Sequence, residues 1–413
     1  MNAVSGAVPV RAVAQVSPGL AALMLALLLG LQPVTTDLML PALPALAADL
    51  GATMAPAQLT MSALILAFGL AQLVWGPVAD RVGRRPVLLL GLALYTVASI
   101  GAALAGSVML VVAWRVLQGA AMSAAVVCAR AMVRDLYEPE AGGMVMARAV
   151  GGLGFLAIAS PLLGGVLVAA FGWRAAVAVM GLFAAGLMAL VAWRLPETAL
   201  NRHRDATRLR PLLRQLGRLL RNPAFLSWSL LAASSYVGVY VFLASAGFVL
   251  IGVLGIAPGS AGIWMCALSA SFILGTLLAR RWLPRLGLVR TVGRGAFITL
   301  AASVALAWLA ITDAHNVWAV IAPCALYALG HGTHQPCGQV GAVAPFPQAA
   351  GLASAVAGFI AALAAFGTGL WLGQALDGTV RPLAIGMGLA ALSTATLALT
   401  AVRRYGDPAR ARP

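Results

Sequence analysis

The 413 residues are 62% hydrophobic and only 9% charged, and every one of the 27 strongly basic side chains behind the net charge of +16 is arginine. A soluble domain normally carries about 25% charged residues, so the chain reads as a polytopic membrane protein. Its apolar runs are continuous rather than alternating, which excludes a transmembrane β-barrel. Its arginines gather in some loops and avoid others, as membrane topology demands and nucleic-acid binding does not.

Apolar windows of about 20 residues predict twelve spans, at 19–43, 57–77, 86–106, 108–129, 145–169, 172–193, 225–250, 258–279, 292–312, 317–337, 348–373 and 381–402. Arg11, the apolar run to Leu31 and Ala45-Leu46-Ala47 resemble a signal peptide. The apolar run is too long and the small-residue site too distant, so the segment is read as the first span. The expected fold class is an all-α polytopic membrane protein with 12 transmembrane helices in two six-helix halves. Residues 1–194 would form the first bundle, 195–224 a basic linker and 225–413 the second bundle.

Between the second and third spans lies Gly76-Pro77-Val78-Ala79-Asp80-Arg81-Val82-Gly83-Arg84-Arg85-Pro86, a charged turn that cannot sit in hydrocarbon. This turn, the N-terminal tail, the 130–144 loop with Arg148, the 194–224 linker, the 280–291 loop with Arg294 and the C-terminal tail together hold 24 of the 27 arginines. The opposite set of loops holds Arg174 and Arg381, and Arg115 lies inside a span. The excess places both termini in the cytoplasm, which requires an even number of spans. Within the linker, Arg202, His203, Arg204, Asp205 and Arg208 precede Leu209 to Leu220, where leucines and arginines alternate at near-helical spacing. That stretch reads as a basic amphipathic helix on the membrane surface, or more plainly as a positive linker near anionic headgroups. Gly76 to Arg81 also finds an echo in Gly275-Thr276-Leu277-Leu278-Ala279-Arg280, at the same place in the second half. A duplicated six-span unit is the signature of a transporter with its site between the halves.

Asp37 is the carboxylate well inside a span and Arg115 the corresponding arginine. Intramembrane ionisable groups are functional hypotheses by default. At a rise of 1.5 Å per residue they lie roughly 9 and 10 Å from the outer surface, so the expectation is that they meet. Asp37 would carry a coupling proton, tuned by Arg115 with Gln118 one turn away; the alternative is a fixed ion pair joining two helices. Gly330-His331-Gly332-Thr333-His334-Gln335-Pro336-Cys337 closes the tenth span, and its two imidazoles and thiol suit a soft metal, a substrate-lining patch or packing at a bend. Phe68, Gln72, Tyr236, Tyr240, Trp264 and Tyr327 are further candidates for lining a pocket, together with His331 and His334. Cys128, Cys266, Cys324 and Cys337 have no CxxC spacing and read as small buried side chains. No nucleophile or metalloenzyme motif is found, and the absence of lysine excludes a Walker-type ATPase within this chain. The reading is therefore no enzyme, no cofactor and no bound metal, with transport driven by an ion gradient.

Gly76 to Arg85 resembles the Gly-x-x-x-Asp-Arg-x-Gly-Arg-Arg/Lys signature of the major facilitator superfamily, and Arg115-Val116-Leu117-Gln118-Gly119 looks like its fourth-span motif. Thr36 to Pro44 is similar to the Asp-x-Tyr-x-Pro signature of the twelve-span drug/proton antiporters, above all the Bcr/CflA group, with Met39 in place of the tyrosine. Arg130-Ala131-Met132-Val133-Arg134-Asp135, Gly172-Trp173-Arg174, Pro196-Glu197-Thr198 and Ala353-Ser354-Ala355 extend the likeness. The fifth-span antiporter motif appears as Ser160-Pro161-Leu162-Leu163-Gly164-Gly165, with serine where the family usually has glycine. The resemblance implies a monomeric pump of the bacterial inner membrane that exchanges protons for small, largely apolar drugs such as chloramphenicol or bicyclomycin, with the bilayer and not nucleic acid as its surroundings. Alternatives are a narrow metabolite or metal-ion transporter and a non-transporting membrane sensor. Within the gate motif of Gly76, Asp80, Arg81, Gly83, Arg84 and Arg85, Asp80 is expected to reach Arg130, Arg134 and the start of span eleven near Gly351, whose helix dipole favours an anion. Those contacts would latch the cytoplasmic side shut.

Overall fold

A computed structural model describes residues 17–137, 139–199 and 209–407, apart from a few side chains within them, and all regular structure among these residues is helical. The charges at 202–208 and the tail arginines Arg11, Arg410 and Arg412 lie outside the described residues.

Helix α1 (Pro18–Asp37) starts with Ser17 Oγ accepting from the Leu20 N–H at 3.4 Å. It stops at Asp37 because Pro41, four residues on, has no N–H to offer the Asp37 carbonyl. A single tight turn (Leu40–Ala42) and the short α2 (Leu43–Asp49) complete this first crossing. Next come α3 (Met54–Val82), α4 (Arg84–Ala103), α5 (Val108–Leu136), α6 (Pro139–Phe171) and α7 (Trp173–Arg194). The linker contains α8 (Leu209–Leu220), the amphipathic helix expected from its leucine spacing. Leu216 and Leu219 bury against the apolar cluster around Phe225 and Trp228, while Leu213 and Leu220 stay exposed.

The second half begins with α9 (Pro223–Gly247), extended by a π turn to Val253, and continues with α10 (Pro258–Thr312). At 55 residues α10 is far too long for one crossing, since about 20 residues span the hydrocarbon. Gly287, at φ 71° and ψ 176°, divides it into limbs 258–286 and 288–312. Gly275 abuts Leu329 and Gly332, and Gly295 abuts Thr333 and His334. Both limbs therefore flank one stretch of α11 (Val317–Val343), so the chain doubles back at Gly287. Helices α12 (Ala350–Ala375) and α13 (Arg381–Leu397) close the bundle.

Among the described residues, ten helical segments are long and apolar enough to cross a membrane. Gly287 divides α10 into two limbs, each of crossing length, and α11, made more polar by His331 to Gln335, is 27 residues long, so the helices are consistent with the twelve spans expected. Two sequence expectations change. The charged turn over 76–86 shrinks to Gly83 alone (φ 119°), because α3 carries its helix past Pro77 into the polar zone as far as Val82. The tenth span does not end near Pro336 either: α11 runs on to Val343, and Thr276 Oγ1 bonds, at 3.4 Å, the Gly332 carbonyl that Pro336 cannot serve.

Candidate functional site

Two seams join the halves. One is between α3 and α12, where Gly69 packs on Phe359 and Ala362 and Gly373 packs on Ala55. The other is between α6 and α10, where Gly262 lies on the Pro161 carbonyl. At the arginine-poor end the halves touch: the Gln58 amide donates to the Ala244 carbonyl, and Gly247 sits on the Leu40 carbonyl. At the arginine-rich end they part around a vestibule of about 930 Å³, walled by Asp80, Arg84 and Arg130 on one side and by residues 347–355 on the other. Gln72, Arg130 and Ser354 are shared with a deeper cavity of about 120 Å³, so the vestibule leads inward to it.

Of the lining candidates, Phe68, Gln72 and Tyr236 stand in the wall of the inner cavity. The other lining candidates do not. Trp264 stacks edge-on to Trp318 at 4.9 Å near the arginine-poor end. Tyr240 and Tyr327 are fully buried, and the Tyr327 hydroxyl donates to the Ser235 carbonyl at 2.8 Å. His331 faces Ser235 (Nδ1 to Oγ, 2.8 Å) and Phe272, the buried His334 faces α10 at Gly295, and Cys337 joins the core around Trp228. Steps of three residues fall about 60° short of a full helical turn, so these three side chains fan out to different neighbours rather than converging. Sequence reasoning missed Gln32, Gln335 and Gln339, which also line the cavity. Amides within apolar spans were the available signal, and Gln335 and Gln339 share one helix face at i, i+4.

Asp37 ends α1 at the junction of the halves, within electrostatic reach of Tyr236 on α9 and Cys266 on α10, and Thr36 Oγ1 donates to it at 2.6 Å. The expected contact with Arg115 is not made. The buried Arg115 donates to the Thr35 carbonyl at 3.1 Å and to Gln118 Oε1 at 3.1 Å, with the Met61 and Met180 sulfurs alongside. The depths were matched but the helix faces were not: Thr35 and Asp37 differ by about 200° around α1. Gln118 passes the chain on to Ser99 Oγ at 2.7 Å.

In the gate motif Arg84 is the centre. It binds Asp80 at 2.6 Å and Asp135 at 3.1 Å, while the Glu197 carboxylate accepts from the Arg84 and Arg85 backbone N–H groups at 2.8 and 3.3 Å. A carboxylate at the first turn of α4 complements its dipole. Gly83 is needed here twice over, since its φ is closed to other residues and a Cβ would strike Glu197. Arg85 reaches the Ala192 carbonyl at 2.8 Å, and Arg81 stands in the last turn of α3. Asp80 thus binds Arg84 and not α12, which faces it across the vestibule; the physical reason is the i, i+4 geometry that places Arg84 within reach. Arg130 crosses between the halves to Ser354 Oγ at 3.3 Å, and the side chain of Arg134 lies outside the described residues. In the antiporter motif Ser160 Oγ donates to the Leu156 carbonyl at 2.7 Å, Pro161 interrupts α6, Gly164 lies on the Leu38 carbonyl and Gly165 on that of Pro258.

The arrangement is a vestibule at the arginine-rich end that leads to a polar pocket between the halves, and the chain that builds it is similar to known proteins. The chain is 31% identical to multidrug resistance protein D of Escherichia coli K12 over 341 residues, covering 81% of this chain and 84% of that one. It is 31% identical to a chloramphenicol resistance protein of Pseudomonas aeruginosa (78% and 75% covered) and 28% identical to a bicyclomycin resistance protein homolog of Haemophilus influenzae (64% and 67%). Among solved structures, a D-xylose–proton symporter superposes with a TM-score of 0.71 at 18% identity over 90% of this chain and 96% of that one, which speaks for the fold alone. The Major Facilitator Superfamily family model matches residues 25–369. The chain belongs to the major facilitator superfamily, as its gate motif and its paired six-helix halves foretold.

Proposed function

We propose that this protein is a proton-coupled exporter of small drugs or antibiotics of the bacterial inner membrane, working as a monomer by alternating access with both termini in the cytoplasm. The observation that carries the reading is that pocket and carboxylate share one helix: Gln32, a wall of the inner cavity, and Asp37 stand five residues apart on α1, about 7.5 Å along its axis. A substrate in the cavity and a proton on Asp37 would thus act on the same junction of the halves. The relatives that bear the names multidrug, chloramphenicol and bicyclomycin resistance support the substrate class. So does the lining: four glutamines, Tyr236, Ser354 and Arg130, among alanines and Phe68, suit compact neutral molecules with hydrogen-bonding groups better than cations.

In this reading the vestibule faces the cytoplasm, as its arginines require, and drug enters there. Asp37, reached from the outside after the halves rock, takes up a proton, and its return inward is favoured by the potential by ~2.3 kcal/mol per charge per 100 mV. Arg115 is not the ion-pair partner of Asp37; it holds the Thr35 carbonyl and so fixes the last turn of α1 that presents the carboxylate. Asp80, freed from Arg84, closes the vestibule against residues 347–351 in the opposite state of the cycle.

The test is transport in proteoliposomes with an imposed pH gradient and a panel of neutral antibiotics. Drug is expected to move against the proton flux, and Asp37→Asn is expected to abolish proton-driven accumulation while drug still binds. Absence of proton movement with every compound would overturn the antiporter reading, and intact proton-driven transport in Asp37→Asn would remove Asp37 from its role.

A further inference from the structure

Pro161 interrupts α6 and brings no N–H to the carbonyl of Ala157, four residues earlier. Its ring also crowds the preceding turn, where Ile158 lies. In the depth of a membrane such carbonyls have no water to turn to. Both are met from the other half of the molecule: Ser269 Oγ donates to the Ala157 carbonyl at 3.2 Å and Cys266 Sγ to the Ile158 carbonyl at 3.1 Å. The two donors stand one turn apart on the first limb of α10, just beyond Gly262, which lets that limb lie directly on the Pro161 carbonyl.

We infer that Cys266 and Ser269 are positioning residues of the transport cycle, closing the α6–α10 seam by donating to the Ala157 carbonyl that Pro161 leaves open and to the Ile158 carbonyl beside it. The seam lies toward the arginine-poor end, where the halves touch in this structure, so it belongs to the closed outer side. Its caps are exchangeable. A thiol is a weak donor and a serine hydroxyl a neutral one, and water entering a parted seam replaces both. The same limb serves a second proline: Thr276 Oγ1 caps Gly332, four residues before Pro336, but that contact stays within the second half and need not break as the halves rock. The seam is also placed to feel Asp37. Gly164, one turn past Pro161, packs on the Leu38 carbonyl next to that carboxylate, and Cys266 lies within reach of its charge.

This inference rests on the alternating-access reading, and its test needs neither drug nor proton gradient. Of the four cysteines Cys266 alone is not buried, so Cys266→Ser both keeps a donor and supplies a quiet background for thiol labelling. In that background a probe cysteine is placed in the vestibule (Ala350→Cys) or in the closed α3–α12 contact, where Ser62 packs against Gly369 (Ser62→Cys), and purified protein is labelled with a water-soluble maleimide. The donorless pair Cys266→Ala and Ser269→Ala is expected to label several-fold more slowly at position 350 and several-fold faster at position 62, because the closed seam now holds bare carbonyls that the open one hydrates. Cys266→Ser with Ser269→Thr should restore the original rates, and Thr276→Val should leave them unchanged. Equal labelling of donorless and donor-bearing proteins overturns the inference. If the pair fails to accumulate, Ser269→Ala in the Cys266→Ser background is read by the same criterion. Loss of proton coupling with these labelling shifts intact would count against the proposed function and leave the seam standing.

Discussion

Two glycine corners occupy the same place in the two halves, and they are built differently. Gly83, between α3 and α4, lies inside a web of opposite charges: Arg84 binds Asp80 and Asp135, and Glu197 caps the start of α4. Gly287, between the limbs of α10, is surrounded by Arg280, Arg281, Arg285, Arg290 and Arg294, none of which makes an ion pair among the described residues. Both glycines have a backbone conformation essentially closed to other residues. The first corner is tied to α5 and the segment after α7 by charged hydrogen bonds, whereas the second is held by apolar packing of Leu283, Leu288 and Val289 on the cluster around Phe225 and Trp228. The duplicated fold supplies two equivalent corners, and the carboxylates decide which becomes part of the machinery.

The largest test of that contrast is removal of the central cation. Arg84 is almost wholly buried between Asp80 and Asp135, so Arg84→Ala leaves two carboxylates facing each other across an empty site. A loss of about 1.5–3 kcal/mol is expected for charged hydrogen bonds of this kind, read as a lowered melting temperature in detergent together with poor transport. The matching change at the other corner, Arg285→Ala, removes an exposed unpaired charge and should stay within about 0.5 kcal/mol. Equal losses at the two corners would erase the distinction.

The glycines themselves give a smaller and sharper comparison. Gly287→Ala meets backbone strain alone, about 1–3 kcal/mol, since no atom stands near its missing side chain. Gly83→Ala meets the same strain and a collision with the Glu197 carboxylate. Adding Glu197→Ala to Gly83→Ala should therefore cost less than the two changes summed, whereas Glu197→Ala and Gly287→Ala should add. A thermal double-mutant cycle separates the two results.

What the sequence disclosed divides along physical lines. Spans are set by the length and continuity of apolar runs, and ten of the helices among the described residues are long and apolar enough to cross a membrane, with α10 merging two expected spans and α11 more polar than the rest. Depth was equally readable, as Asp37 and Arg115 do lie close along their helices. Angle was not: a two-residue step turned Asp37 away from Arg115 toward the second half, and no periodicity within a nearly uniformly apolar helix reports which face looks inward. The glutamines were visible as polar residues in spans, yet their convergence depends on how three helices, α1, α3 and α11, pack. Glu197 belonged to a motif noted for its likeness, but its role at the start of α4 comes from a contact over 113 positions.

The smallest expected effect bears on what the first corner is for. In this structure Asp80 is bound to Arg84 and looks across a wide vestibule at the first turn of α12, so it contributes little to holding the present state together. If the vestibule closes, the same carboxylate meets that helix N-terminus, where a negative charge gains about 0.3–1 kcal/mol, up to ~2 when partly buried. Asp80→Asn keeps the size and loses the charge, so drug binding to the vestibule-open state should be unchanged while turnover slows by the several-fold that such an energy allows. The second corner has Ala279 where a latch would need a carboxylate, so it has no matching residue to mutate, and the asymmetry itself becomes measurable. Slower turnover with unaltered drug affinity assigns Asp80 to the closed state. Unaltered turnover would leave the charged web around Gly83 as scaffolding, no different in purpose from the packing at Gly287.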